Sequence, residues 1–226
     1  MKLTYYGHAC FSVEVSGKKL LFDPFITPNE KAKDIDIDSI EADYILISHG
    51  HQDHTADAIK LAKKTGAKII SNFEIVTWAQ NNGVDNVHPM NHGGYYDFDF
   101  GRVKYVTAIH SSSFADGSYA GNPGGFVISS SEKSFYYAGD TALTMDMKLI
   151  PQFFKLDFSI LPIGNDLTMG IEEAIVAADF VECNKVLGVH YDTMEVIKID
   201  HEDAVKQFKD SGKELVLMKI GETKDF

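Results

Sequence analysis

The stretch Ser48-His49-Gly50-His51-Gln52-Asp53-His54 sets three imidazoles and one carboxylate close together in the chain. Before it runs Asp43-Tyr44-Ile45-Leu46-Ile47, short, apolar and β-branched. After it, in residues 55–64, Ala58, Ile59, Leu61 and Ala62 recur at helical spacing. The cluster therefore stands where a buried strand turns into a helix. Imidazole nitrogen together with carboxylate oxygen is the usual donor set of a hydrolytic metal ion. In an extended segment His49 and His51 project to one face and reach one ion. Asp53 and His54 fall where the chain turns into the helix and can face a second ion beside the first. A solvated polar loop rarely concentrates ligands at this spacing.

On the N-terminal side, Leu3 to Val15 reads as one strand. Ser16-Gly17-Lys18 is a turn, and residues 19–22 form a second strand that ends at Asp23-Pro24, making a hairpin. Residues 27–42 read as a loop with a helical turn near Ile37–Ile40. On the C-terminal side, residues 68–71 are a strand. Asn72 caps a helix to Asn81 with Ile75, Val76 and Ala79 on one face, and Gly83 stops it. Strands are predicted over 84–90, 95–100, 102–109, 125–130 and 133–138. The last third alternates helix 145–154, strand 157–162, helix 170–182, strand 185–189, helix 200–210 and strand 214–220. No internal repeat, low-complexity segment or linker stands out, and 226 residues suit a single domain over 1–226. Strands with helices in both halves predict an α+β fold of two sheets face to face with helices outside.

Composition narrows the function. The chain is 44% hydrophobic and 12% aromatic, enough for a sizeable core, and carries a net charge of −12. That balance disfavours non-specific binding to nucleic acid and to anionic membranes, and leaves a small-molecule substrate. A small anion stays open, because bound ions set the local charge. Cys10 and Cys183 form no CxxC, so a reducing compartment is expected. The N-terminus has no signal-peptide core and no apolar run reaches membrane-spanning length, so the expectation is a cytoplasmic protein.

Three further polar side chains end apolar strands. Residues 103–109 deliver His110, 135–139 deliver Asp140, and 186–189 deliver His190. Alone, each has an ordinary use as a turn or surface residue. Joined to the central motif they make five histidines and two carboxylates, which two ions sharing a bridging carboxylate would need.

The series His49-x-His51-x-Asp53-His54, His110, Asp140, His190 resembles the ligand series of the metallo-β-lactamase superfamily, across essentially the whole chain. Tyr6-Gly7-His8-Ala9-Cys10-Phe11, Phe22-Asp23-Pro24-Phe25, Leu161-Pro162-Ile163-Gly164 and Thr168-Met169-Gly170 narrow the resemblance. They are similar to the branch that holds ascorbate-6-phosphate lactonase and a widespread group of metal-dependent hydrolases, and are closer to the latter. The resemblance implies a four-layer αββα sandwich with the site along one edge. It implies His49, His51 and His110 on a first ion, Asp53, His54 and His190 on a second, and Asp140 bridging. It also leaves room for a homo-oligomer. The implied cofactors are two divalent ions, zinc foremost, with manganese, iron, cobalt and nickel also suited to nitrogen and oxygen donors. No cysteine takes a ligand position, unlike some true β-lactamases. His51 stands where the redox diiron branch typically has a carboxylate. Both departures argue against those activities.

The implied reaction is hydrolysis of an ester, lactone or phosphoester of a small molecule by a metal-bridging hydroxide, with Asp53 orienting it or taking its proton. Two alternatives stand beside it. Cleavage of phosphodiesters or nucleic acid is disfavoured by the acidic charge and the lack of a long inserted arm. A non-catalytic metal-binding regulator is disfavoured by the intact ligand series. His8, in a glycine-led turn, fits a substrate contact, a leaving-group acid or a structural hydrogen bond. Asp23 fits either a carboxylate that fixes a histidine tautomer or a turn residue before Pro24. Asn165, Thr168, Tyr191 and Thr193 are pocket candidates. His88, His92 and His201 read as surface or capping groups. The Tyr95-Tyr96 and Tyr136-Tyr137 pairs read as strand packing.

Overall fold

Residues 1–226 are described by a computed structural model. Strands β1 (Lys2–Gly7), β2 (Cys10–Val15), β3 (Lys18–Phe22), β4 (Tyr44–Leu46), β5 (Lys68–Asn72) and β6 (Val87–Met90) build a first sheet. Strands β7 (Tyr95–Phe98), β8 (Gly101–Thr107), β9 (Gly124–Ser129), β10 (Ser134–Tyr137), β11 (Phe158–Pro162), β12 (Lys185–Val189) and β13 (Glu214–Val216) build a second. The last strand, β14 (Thr223–Asp225), returns to pair antiparallel with β1, so both sheets have seven strands. The helices are α1 (Gln52–Thr55), α2 (Ala58–Thr65), α3 (Phe73–Asn81), α4 (Ile171–Phe180) and α5 (His201–Asp210).

Period-two alternation makes the layers. Leu20, Phe22, Phe135 and Tyr137 turn into the space between the sheets, joined by Phe11, Phe126, Phe158 and Leu187. Leu21, Ile45 and Ile69 turn outward onto Ala58, Leu61, Ile75 and Ala79 of the helices over the first sheet. Tyr136, Leu161 and Val186 do the same onto Ala174, Ala178 and Phe208 of α4 and α5. Central strands covered on both faces need apolar residues at every position, which is why they read as continuous hydrophobic runs. The result is the αββα sandwich that the resemblance implies, two mixed sheets flanked by helices.

The two sheets repeat one pattern that the sequence hides. Read from β14 to β6, and from β7 to β13, each has three antiparallel pairs followed by three parallel ones. Strand β3 therefore holds the place of β10, and β1 the place of β8. Asp23 and Asp140 follow the first equivalent pair; His8 and His110 follow the second.

Several predicted elements change. The single strand over 3–15 is two, because Gly7 (φ +102°) and His8 (φ +56°) turn left-handed and reverse the chain. The helix after the motif breaks between α1 and α2 at Asp57. There the Asp57 carboxylate accepts the Ile26 and Thr27 N–H groups (2.7 and 2.8 Å) and ties the break to the loop after β3. The helix over 145–154 shrinks to a 3₁₀ turn, Met145–Leu149, since Pro151 has no N–H to continue it. The closing strand stops at Val216, and the pairing role passes to β14. Tyr95 and Tyr96 lie in a strand as expected but are exposed on its edge, Tyr95 beneath the Arg102 guanidinium (4.2 Å). No helix is long and apolar enough to cross a membrane. Cys10 and Cys183 are buried, unpaired thiols that burial pushes up in pKa.

Candidate metal centre

The clustered side chains leave the ends of strands from both sheets. The chain after β4 carries His49, His51, Asp53 and His54. His110, Asp140 and His190 follow β8, β10 and β12, and His8 sits in the turn between β1 and β2. All seven residues expected as ligands converge. His49, His51 and His110 bring one ring nitrogen each within 4.8 Å of one another, and Asp53, His54 and His190 do likewise, with His8 beside them. Between the groups lies one oxygen. Asp140 Oδ2 is 3.0 Å from His190 Nε2, 3.2 Å from His54 Nε2, 3.7 Å from His110 Nε2 and 3.9 Å from His49 Nε2. Asp53 Oδ2 is 3.7 and 3.8 Å from the Nε2 atoms of His54 and His190.

Behind this cluster, Asp23 is fully buried and accepts four hydrogen bonds. They come from the Ser48 N–H (2.7 Å), Ser48 Oγ (2.5 Å), Tyr137 OH (2.6 Å) and His54 Nδ1 (2.8 Å). With Nδ1–H pointed at Asp23, His54 turns Nε2 toward Asp140. Of the two roles the sequence left open, the tautomer-fixing one matches this geometry. Ser48 also lies 3.0 Å from His49 Nδ1, and Ser111 Oγ lies 3.3 Å from His51 Nε2.

His8 is 1% exposed. Its Nε2 meets Asp53 Oδ2 at 2.9 Å and its Nδ1 meets Thr193 Oγ1 at 2.9 Å. Its carbonyl accepts the His190 N–H (2.8 Å) and the Tyr5 OH (3.0 Å), fastening the turn of one sheet to a strand end of the other. Thr193 and Tyr137 thus gain contacts that sequence reasoning gave them weakly or not at all. The other pocket candidates make no hydrogen bond to the clustered side chains. Asn165 lines a cleft with Glu173 and Asp200 at the N-terminal ends of α4 and α5, Thr168 Oγ1 faces the Met169 carbonyl, and the buried Tyr191 bonds Met218. His88 packs tilted against Tyr96 (ring centroids 4.2 Å apart), His92 bonds the Pro123 carbonyl (2.8 Å), and His201 bonds Asp192 (2.6 Å).

The donor chemistry fits cations. Burial, with neighbouring imidazoles, holds His49 well below the usual histidine range, and burial lowers His51 and His110, so these are neutral rings with lone pairs to give. Burial opposes charge at His54 and His190, but the Asp140 and Asp53 carboxylates outweigh it. His54 is pushed well up and His190 to about 9. Burial also opposes charge on Asp140 and Asp53, yet the same imidazoles hold both far below the usual carboxylate range. The Nε2 atoms of His54 and His190 are buried without a hydrogen-bond partner. Such atoms are costly unless something ligates them.

A cation entering here competes with protons. Because the His190 proton is held up to about pH 9, loading should release protons, and apparent affinity should rise between pH 6.5 and 9. The rise is about tenfold per pH unit for each proton displaced. Calorimetric titrations in buffers of different ionisation enthalpy measure both quantities; an affinity flat across that window would refute the competition.

A family model described as the β-lactamase superfamily domain matches residues 2–190. A metal-dependent hydrolase of Flavobacterium johnsoniae is 58% identical over 223 residues, covering 99% of this chain and 99% of that one. The chain belongs to the metallo-β-lactamase superfamily. A further metal-dependent hydrolase, from Methylacidiphilum infernorum, is 52% identical over 223 residues at the same coverage. Among solved structures, a metallo hydrolase from the hyperthermophilic archaeon Ignicoccus hospitalis superposes with a TM-score of 0.89 at 33% identity, covering 100% of this chain and 98% of that one. This superfamily member is a metal-dependent hydrolase.

Proposed function

We propose that the cluster holds two divalent ions, one on His49, His51 and His110, the other on Asp53, His54 and His190, with Asp140 between them. The observation that carries this is the one carboxylate oxygen of Asp140 with four imidazole Nε2 atoms within 3.9 Å, two of them buried and unpartnered. Nitrogen and oxygen donors suit zinc first, then manganese, iron, cobalt or nickel. Ions so held would supply a water activated near neutral pH and a Lewis acid for the oxygen of the bond under attack. The reaction is hydrolysis of an ester, lactone or phosphoester of a small molecule.

The residues of the chain divide the remaining work. The Asp53 side chain is 30% exposed, so it alone of the two clustered carboxylates faces incoming substrate, where it orients the attacking water or takes its proton. His8 acts through Asp53. Burial, then the neighbouring His190, lowers it to about 4, so it is neutral. The Thr193 hydroxyl donates to Nδ1, and the Nε2–H donates to Asp53. Both ring nitrogens are engaged, which leaves none to protonate a leaving group, and His8 is a positioning residue. Thr193→Val should lower turnover about tenfold to a hundredfold and weaken the ion on the Asp53 side by a like factor. Chelator competition reads the second quantity. Unchanged turnover with unchanged affinity would remove His8 and Thr193 from the mechanism.

The test of the whole reading is elemental analysis with a hydrolysis screen of lactones, esters and phosphodiesters, on chelated and reloaded protein. Two ions per chain and hydrolysis that returns on reloading are expected. One ion per chain at saturation would overturn the paired site, and hydrolysis indifferent to chelation would overturn the metal's role.

A further inference from the structure

The segments that carry the clustered residues, with the neighbouring loop after β11, share an unusual charge balance. Residues 7–9, 23–29, 47–57, 108–123, 138–147, 163–170 and 190–197 contain no lysine or arginine. They do contain Asp116, Asp146, Asp166, Asp192 and Glu195 in addition to the buried carboxylates. The cations that follow two of them are already engaged: Lys148 Nζ lies over the Phe180 ring (4.3 Å), and Lys198 pairs with Glu195 of the last segment (2.5 Å). A substrate with a phosphate or carboxylate remote from the scissile bond would find no basic side chain on these segments and several acidic ones.

The same segments expose apolar side chains. Ile109, next to His110, is 53% exposed, Leu167 46% and Met194 41%, while the half-buried Phe25 ring packs edge-on to His8 (5.5 Å). Hydrogen bonds bind the segments together beside Asp140. The Ile109 N–H donates to Thr141 Oγ1 (2.9 Å), the Ala142 N–H to the Ile109 carbonyl (3.0 Å), and the Met169 N–H to the Thr141 carbonyl (3.1 Å). Thr193 joins Met194 to His8. Scattered exposed apolar residues are ordinary; here Ile109 and Leu167 stand on loops joined beside Asp140, and Phe25 and Met194 on loops joined at His8, so the apolar side chains flank the cluster from both sides.

We propose that the substrate is a neutral ester or lactone with an apolar acyl body, its carbonyl at the metal centre and its hydrocarbon on Phe25, Ile109, Leu167 and Met194. This rests on the hydrolase reading above. Water adds across the acyl C–O bond. The carbonyl carbon gains the water oxygen and becomes a carboxylic acid, and the alkoxy oxygen leaves with a proton.

The test uses full-length, metal-loaded protein and 4-nitrophenyl acetate, butyrate, hexanoate and octanoate. Beside hexanoate stand two charged counterparts, the adipate half-ester and the 6-aminohexanoate. We expect kcat/KM to rise about two- to fourfold per methylene as far as hexanoate, and to drop at least about tenfold for either charged tail. In Leu167→Ser/Met194→Ser the ratio of hexanoate to acetate should fall toward one. A flat gradient, or preference for either charged tail, overturns the proposal. Calorimetry with unreactive 2-alkanones separates this from the hydrolase reading. If no ester turns over yet the ketones bind more tightly with length, and lose that gradient in the double variant, the apolar surface stands and the hydrolysis falls. Ketone binding without a gradient overturns the surface itself.

Discussion

Asp140→Asn should lower hydrolysis of a good substrate by about a thousandfold or more and leave the protein short of its full metal complement. Asparagine keeps the shape of the side chain and removes only its charge. At this position charge is the point, because Asp140 Oδ2 lies within 3.9 Å of the Nε2 atoms of His49, His54, His110 and His190 together. Whichever way the amide turns, the four imidazoles and any cations between them lose their common anion. If the amide N–H₂ faces inward, it places donors where ligands are needed. Elemental analysis and kcat/KM under saturating metal, with circular dichroism as a check on folding, decide it. A variant that retains two ions and stays within about tenfold of wild type would refute the bridging role.

Asp23→Ala should destabilise the protein by about 3–5 kcal/mol, independently of any substrate. The carboxylate is fully buried, and its removal strands the Tyr137 hydroxyl, the Ser48 hydroxyl and N–H, and His54 Nδ1 together. The void is polar and enclosed, so the cost is that of unsatisfied donors rather than of lost packing. Denaturant unfolding of chelated protein isolates this from metal binding. A midpoint shift equivalent to less than about 1 kcal/mol would show that water replaces the carboxylate at little cost. Asp23 also holds His54, so the loaded protein should lose metal affinity by about ten- to a hundredfold.

What could be read from the chain follows from how local each signal is. His49 to His54 were legible because a strand, a turn and a helix lie within twenty residues, and the cluster has no ordinary structural use. His110, Asp140 and His190 each end an apolar run, which alone suits ordinary turn or surface residues; it is the resemblance carried by the whole series that implies their place at one edge of the fold. Asp23 was ambiguous because its decisive contacts are distant: Tyr137 is 114 residues away. Thr193 meets His8 across 185 residues, and nothing near either residue announces it. The twofold pattern of the sheets was invisible because pairing direction repeats while few side chains do, Asp23 with Asp140 and His8 with His110 among them. Local errors had local causes. Gly7 and His8 took left-handed backbone inside a β-rich stretch, Pro151 cut a helix short, and the three residues of β14 are too few to give a periodic signal.

The fastening of the two sheets at the cluster also bears on the order of folding. His8, Asp23 and His49 to His54 come from the first sheet, His110, Asp140 and His190 from the second, and the first sheet is not complete until residues 223–225 have joined it. No contiguous stretch carries all the clustered residues, so a complete site exists only once the sheets have docked. A bound ion would therefore stabilise a contact formed late. It should slow unfolding and leave the folding rate almost unchanged, as stopped-flow unfolding and refolding of chelated and reloaded protein would read. The lifetime of the folded enzyme, not its ability to fold, is then what the supply of metal would control.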